Sequence, residues 1–208
     1  MLLERFEDRG LSQYSYAVGD EAARKVAVVD PRRDGDVYVD WAAARGLAIT
    51  DVLETHVHAD FASGARELAE RAGATLHLSA YDEGERYEVS YPHAPMREGD
   101  AVELGAVRLV ALHTPGHTPE HLSFLVYDAT RSADVPVAAL TGDFLFVGSL
   151  GRPDLLGEEA KHGLARTLFE SVREKLAGLP DTLAIYPGQR AGSRCGAGME
   201  RQPFSSLG

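Results

Sequence analysis

Short apolar runs, β-branched or alternating with polar residues, fill the first quarter of the chain. Ser12 to Val18 alternates in part, and Lys25 to Val29 is a compact run that closes on Asp30-Pro31. A helical period follows from Asp36 to Arg45, with Val37, Trp41 and Ala44 on one stripe. Ala48 to Leu53 predicts a strand. Ser63 to Arg71 predicts a helix, with Leu68 and Ala72 sharing a face and Gly73 as its stop. Thr75 to Leu78 is a further strand, and Tyr81 to Arg97, polar and aromatic with two prolines, predicts an irregular excursion. Ala101 to Leu112 carries two strand runs about a turn at Gly105; His121 to Tyr127 and Val135 to Leu140 are strands. Glu158 to Leu176 is the longest helical pattern, and Leu164, Leu168, Val172 and Leu176 mark its buried face. Thr182 to Tyr186 is the last strand. This order predicts two sheets packed together with helices outside. Residues 1–190 form the expected domain, and residues 191–208, rich in Gly, Ser and Arg, read as a loop or the remnant of a linker.

The 208 residues are 44% apolar and 25% charged, which suits one globular domain with a real core. A formal net charge of −11 disfavours nucleic acid and anionic membranes as partners. There is no apolar run of transmembrane length, and the charged N-terminus lacks an apolar signal core. With a single cysteine, Cys195, no intrachain disulfide can form, and a cytoplasmic location is expected.

The chemistry concentrates in three short motifs. Thr55-His56-Val57-His58-Ala59-Asp60 puts two histidines and a carboxylate just beyond a predicted strand. His113-Thr114-Pro115-Gly116-His117-Thr118 and Thr141-Gly142-Asp143 follow. Imidazole nitrogen and carboxylate oxygen are the ligands that Zn(II) and Fe(II) favour. Each motif alone is weak; the three in this order are specific.

Together they resemble the metallo-β-lactamase superfamily over nearly the whole chain. The resemblance implies an α/β (α+β) fold, a four-layer αβ/βα sandwich of two mixed β-sheets flanked by helices, with a metal site at one edge. The family pattern holds two metals, and this chain departs from it twice. Phe61 and Gln189 stand where the second site's histidines are expected. Phenylalanine cannot ligate and a neutral amide ligates poorly, so a single ion is expected. One branch, the persulfide dioxygenases, uses a single iron. Carried over, its ligands are His56, His117 and Asp143, with one Fe(II) per chain and Zn(II) as the alternative. Gly151-Arg152-Pro153-Asp154 resembles a segment of that branch. The Ala191-Gly192-Ser193-x-Cys195-Gly196 stretch resembles members linked to rhodanese domains, and the resemblance is compatible with a homodimer.

His58 either ligates or turns away to hydrogen-bond, as the iron branch suggests. Asp60 is read as orienting a ligand or loop amide, and Arg152 as a buried guanidinium near the site, with a surface ion pair to Asp154 as the alternative. His113 and His121 are read as structural, His77, His93 and His162 as surface or packing residues, and Cys195 as a small loop residue rather than a nucleophile. Tyr186 either packs or donates into the pocket. Three functions compete. The first is an iron-dependent dioxygenase acting on a thiol persulfide and O2. The second is a thioester or lactone hydrolase of the glyoxalase II type. The third is a silent module that binds a thiol or a protein.

Overall fold

The structure, a computed structural model, describes residues 1–85, 87–193, 195–196 and 198–208. Arg86 of the predicted excursion and Arg194 and Ala197 of the predicted tail lie outside the described residues. The elements run β1 (Leu2–Asp8), β2 (Gln13–Asp20), β3 (Lys25–Val29), α1 (Asp36–Ala43), β4 (Ala48–Leu53), α2 (Ala65–Ala72), β5 (Thr75–Ser79) and β6 (Ala94–Met96). They continue with β7 (Ala101–Glu103), β8 (Val107–His113), β9 (Leu122–Asp128), β10 (Ala138–Gly142), β11 (Leu145–Phe146), β12 (Ser149–Leu150), α3 (Glu158–Lys175), β13 (Ala184–Pro187) and β14 (Ser205–Ser206).

Two mixed six-stranded sheets, ordered β1-β2-β3-β4-β5-β6 and β14-β13-β10-β9-β8-β7, pack face to face, and β11-β12 forms a small hairpin. The layer between them is apolar: Tyr16, Val18, Val29 and Leu53 meet Leu109, Leu122, Phe124 and Leu140. Strand β2 is buried on both faces, so its alternation is only partial in sequence. Helices α1 and α2 cover the outer face of the first sheet. Tyr38 and Ala42, one helical turn apart, are the buried positions of α1, with Val37 and Trp41 beside them. Ala44, placed on the stripe by periodicity, is exposed because the helix has already ended at Ala43. In α2 the buried set is Ala65, Leu68 and Ala69 rather than Ala72, and Gly73 in the left-handed region (φ 65°) closes the helix. On the far side, Leu125 and Ala139 of the second sheet and Leu183, just before β13, meet Leu179, which follows α3.

The face predicted for α3 is only partly closed: Leu168 is buried, whereas Leu164, Val172 and Leu176 are half-buried. The helix lies against the loop at Gly116, where a Cβ would come 2.4 Å from that of Leu168. The segment from residue 191 onward, expected as a loop, is mostly loop and carries one short strand. β14 pairs antiparallel with β13, Gly196 bridges Gly151, and Cys195 is buried, so this segment closes the second sheet and packs against the site. Among the described residues no helix is long and apolar enough to cross a membrane.

Candidate metal centre

All the chemistry-bearing loops leave the same edge of the sandwich. Parallel strands β3 and β4 end at Asp30 and at the Thr55–Asp60 loop, and parallel β10 and β13 end at Asp143 and Gln189. The loop between β8 and β9 adds His117. The backbone bond from Leu122 N to Thr55 O (2.7 Å) ties the two sheets together there. The ends of parallel strands gather sites because several loops converge on one crevice.

Asp143 is aimed by an irregularity. The register of β10 against β13 slips between Leu140 and Gly142, and Gly142 sits at φ 49°. A Cβ on Gly142 would lie 2.6 Å from His121 Nε2 and 2.7 Å from Thr55 Oγ1; one on Gly151 would lie 1.8 Å from Asp143 O. Only glycine fits at either position.

His56, His117 and Asp143 are each at most 3% exposed, and one ligand atom from each lies within 4.8 Å of the others. Their outer contacts fix which atoms remain. Thr55 Oγ1 donates to Asp30 Oδ2 (2.8 Å) and so accepts from His56 Nδ1 (2.9 Å), which leaves His56 Nε2 with a bare lone pair. His117 Nδ1 donates to the carbonyl of Arg152 (2.9 Å), and its Nε2, 3.5 Å from Asp143 Oδ2, is buried without a hydrogen-bond partner. Asp143 Oδ1 is likewise buried and unpartnered. Burial pushes His117 down to about 4 and His56 well below the usual imidazole range, so both are neutral near pH 7. Burial pushes Asp143 up to about 7. Two neutral imidazoles and a carboxyl with orphaned lone pairs suit a divalent cation.

His58 goes elsewhere. Its Nε2 donates to Glu54 Oε2 (2.9 Å) and Asp30 Oδ1 (3.2 Å), turned from the cluster. Burial opposes charge on His58, but the two carboxylates outweigh it and hold the imidazolium well above its ordinary range. Phe61 packs on that ring, centroid to centroid 4.3 Å. Asp60 accepts the Gln189 amide (Nε2 to Oδ2, 2.8 Å). Arg152 does not have the buried guanidinium that was expected. Its side chain is 42% exposed and forks onto Asp154 (2.6 and 2.9 Å), while its backbone carbonyl accepts from His117 Nδ1.

His121 does more than fill space. Its Nε2 accepts the Asp143 N–H (3.1 Å), Thr114 Oγ1 takes its Nδ1 (2.9 Å), and its ring stacks on His56 at 5.1 Å. His113 bonds the carbonyl of Pro119 and stacks on Tyr81. His77 bonds Asp51, His93 bonds the Tyr91 carbonyl, and His162 is exposed. Tyr186 packs edge-on against Tyr16 and stacks on Phe204. Burial, then Asp143 and Asp60, push the Cys195 thiol far above its usual range, so it stays protonated beside Asp143. Sequence reasoning passed over Asp30, Glu54 and Ser193. Asp30 and Glu54 did carry a signal, each standing at the end of a strand that delivers a site loop; Ser193 carried none. A cavity of about 250 Å³ opens beside His56 and His58, walled by Val57, Phe61, Leu78, Tyr91 and Glu120.

The family model described as the metallo-beta-lactamase superfamily matches residues 8–188. The chain belongs to the metallo-β-lactamase superfamily. Among solved structures, a metallo-beta-lactamase from Staphylococcus aureus superposes with a TM-score of 0.91 at 38% identity, over 99% of this chain. The present chain spans 60% of that longer one. ETHE1 from Myxococcus xanthus superposes with a TM-score of 0.79 at 30% identity, covering all of this chain and 80% of that one. Among curated relatives, the mouse mitochondrial persulfide dioxygenase ETHE1 is 29% identical over 90% of this chain and 67% of its own length. The hydroxyacylglutathione hydrolase GloC of Haemophilus influenzae is 27% identical over 87% of each. This superfamily member is therefore similar both to dioxygenases and to hydrolases.

Proposed function

We propose that the protein is a mononuclear non-haem iron persulfide dioxygenase, with His56, His117 and Asp143 as the ligands of one Fe(II). The observation that carries this reading is the withdrawal of His58 into the Asp30–Glu54 pair, which leaves two imidazoles and one carboxylate with open lone pairs. When bound, Fe(II) held by these residues would supply Lewis-acid and redox chemistry toward dioxygen and a sulfur ligand. The reaction balances as one persulfide, one dioxygen and one water giving thiol, sulfite and two protons. The outer sulfur gives up four electrons, and dioxygen accepts them.

The chain's own part is positional. Thr55 and the Arg152 carbonyl hold the two imidazoles in the tautomers that present Nε2. His121 and the glycines at 142 and 151 hold the Asp143 backbone. Asp60 and His58 act outside the ligand set, and Arg152 contributes its carbonyl. The persulfide's carrier would lie in the cavity against Val57, Phe61 and Tyr91. Iron-loaded protein given glutathione persulfide in air is expected to consume oxygen and release sulfite in equal amounts. No oxygen uptake would overturn the reading for that substrate.

A second reading, hydrolysis of a glutathione thioester, draws on the similarity to GloC. The Phe61 and Gln189 positions weigh against it, because its two-ion relatives rely on a bridging nucleophile. Turnover of S-lactoylglutathione by zinc-loaded protein, with no oxygen uptake by the iron form, would favour it instead.

A further inference from the structure

We propose that Gln189 is a positioning residue that occupies the place of a second ion and holds the centre to one metal. The inference rests on the reading of His56, His117 and Asp143 as ligands, and it concerns what limits that site. Gln189 is 2% exposed, and its Nε2 donates to both Asp60 Oδ2 (2.8 Å) and Asp143 Oδ2 (3.0 Å). Both amide N–H groups are thus spent between two carboxylates. The Ser193 hydroxyl donates to Oε1, so the amide has one orientation: reversed, it would set its carbonyl against two carboxylates and waste the serine's donor. Asp143 is thereby divided, Oδ2 tied to the amide and Oδ1 left bare.

The backbone leaves this side chain no other place. Tyr14 N donates to Gly188 O (2.7 Å), Gly188 N to Gly142 O (2.8 Å) and Arg190 N to Ser12 O (3.0 Å). Gly188 approaches so closely that a Cβ there would lie 2.9 Å from Asp143 Oδ1. A second cation would have to displace the amide and break two hydrogen bonds to carboxylates, worth more than neutral ones. It would then find two carboxylate oxygens, and Phe61, which stands where the superfamily pattern has a histidine, has no lone pair to give. Two ligands do not hold a divalent ion against water.

The test is metal stoichiometry on the whole chain by elemental analysis, with excess Zn(II) or Mn(II) and dialysis, beside EPR of the manganese forms. The native chain is expected to retain about one ion, with the signal of an isolated ion, and the double variant Phe61→His/Gln189→His about two, with a spin-coupled signal. Gln189→Glu keeps the shape, replaces a donor by an acceptor and is expected to bind additional Mn(II). It keeps the test open if the double variant does not fold. Two ions on the native chain, or one on both the double variant and Gln189→Glu, would overturn the role of Gln189 while leaving the metal reading intact. No ion on the native chain would sink the metal reading itself, and this inference with it.

Discussion

Two buried clusters of the same residue types lie side by side at the site edge. His56, His117 and Asp143 form one; His58, Glu54 and Asp30 form the other, also with ligand atoms within 4.8 Å of one another. Composition does not tell them apart; partners do. In the second cluster Asp30 takes the Thr55 amide, the Thr55 hydroxyl and His58, and Glu54 takes His58 and Ser63, so all four carboxylate oxygens are engaged. In the first, His117 Nε2 and Asp143 Oδ1 have no partner. The second cluster also has an unpartnered atom among the described residues, His58 Nδ1, but on an imidazolium that is a spare donor, whereas the first cluster has spare lone pairs. Carboxylates satisfied from within make a brace, and spare lone pairs suit a cation. The brace also serves the first cluster, because Asp30 accepts from the Thr55 hydroxyl to which His56 Nδ1 donates.

The strongest way to break this comparison is to delete one member of each cluster. His117→Ala and Asp143→Ala are expected to reduce bound metal from about one ion per chain to nearly none, measured by elemental analysis, because two ligands do not suffice. His58→Ala is expected to keep the ion yet lower the unfolding free energy by about 3–5 kcal/mol, since it leaves Asp30 and Glu54 buried without their cation. Loss of metal in His58→Ala at unchanged stability would mean that the two clusters were assigned the wrong way round.

The sandwich was legible because its strands and helices follow apolar periods, and the three motifs named the loops that meet at the edge. What the chain did not announce is orientation. His56 and His58 are two residues apart in one loop, and nothing in Thr55-His56-Val57-His58 says that one presents Nε2 while the other turns to Glu54. That choice is made by Asp30, 26 and 28 residues earlier, reached only through strand pairing between β3 and β4. Gln189 was legible as a missing ligand but not as a bridge between Asp60 and Asp143, because a bridge needs distances. The tail, rich in Gly, Ser and Arg, read as a loop, yet Gly196 is what lets it lie against Phe146, where a Cβ would come within 2.8 Å of the ring.

The clusters should also differ in how protons compete with metal. His56 and His117 are neutral near pH 7, so the competing proton sits on Asp143, which burial has pushed up to about 7. Metal requires the carboxylate, so acid must oppose binding. Below pH 7 the apparent affinity of the metal-free protein is expected to fall about tenfold per pH unit, with release of about one proton per ion. Calorimetry in buffers of different ionisation enthalpy reads that proton directly. A flat affinity between pH 5 and 7 would mean that Asp143 is already ionised in the metal-free protein.

The smallest effect tests the link between the clusters. Thr55→Val keeps the volume next to Gly142 but removes the hydroxyl that donates to Asp30 and accepts from His56. His56 then loses the contact that fixes its tautomer, while His56, His117 and Asp143 all stay in place. Metal affinity, measured by competition with a chelator, is expected to weaken about 10–100-fold, the usual cost of removing a partner that orients a ligand. Thr55→Ser, which restores the hydroxyl, is expected to recover most of that loss. If Thr55→Ser is as weak as Thr55→Val, the threonine acts by packing, and the two clusters are neighbours without being coupled.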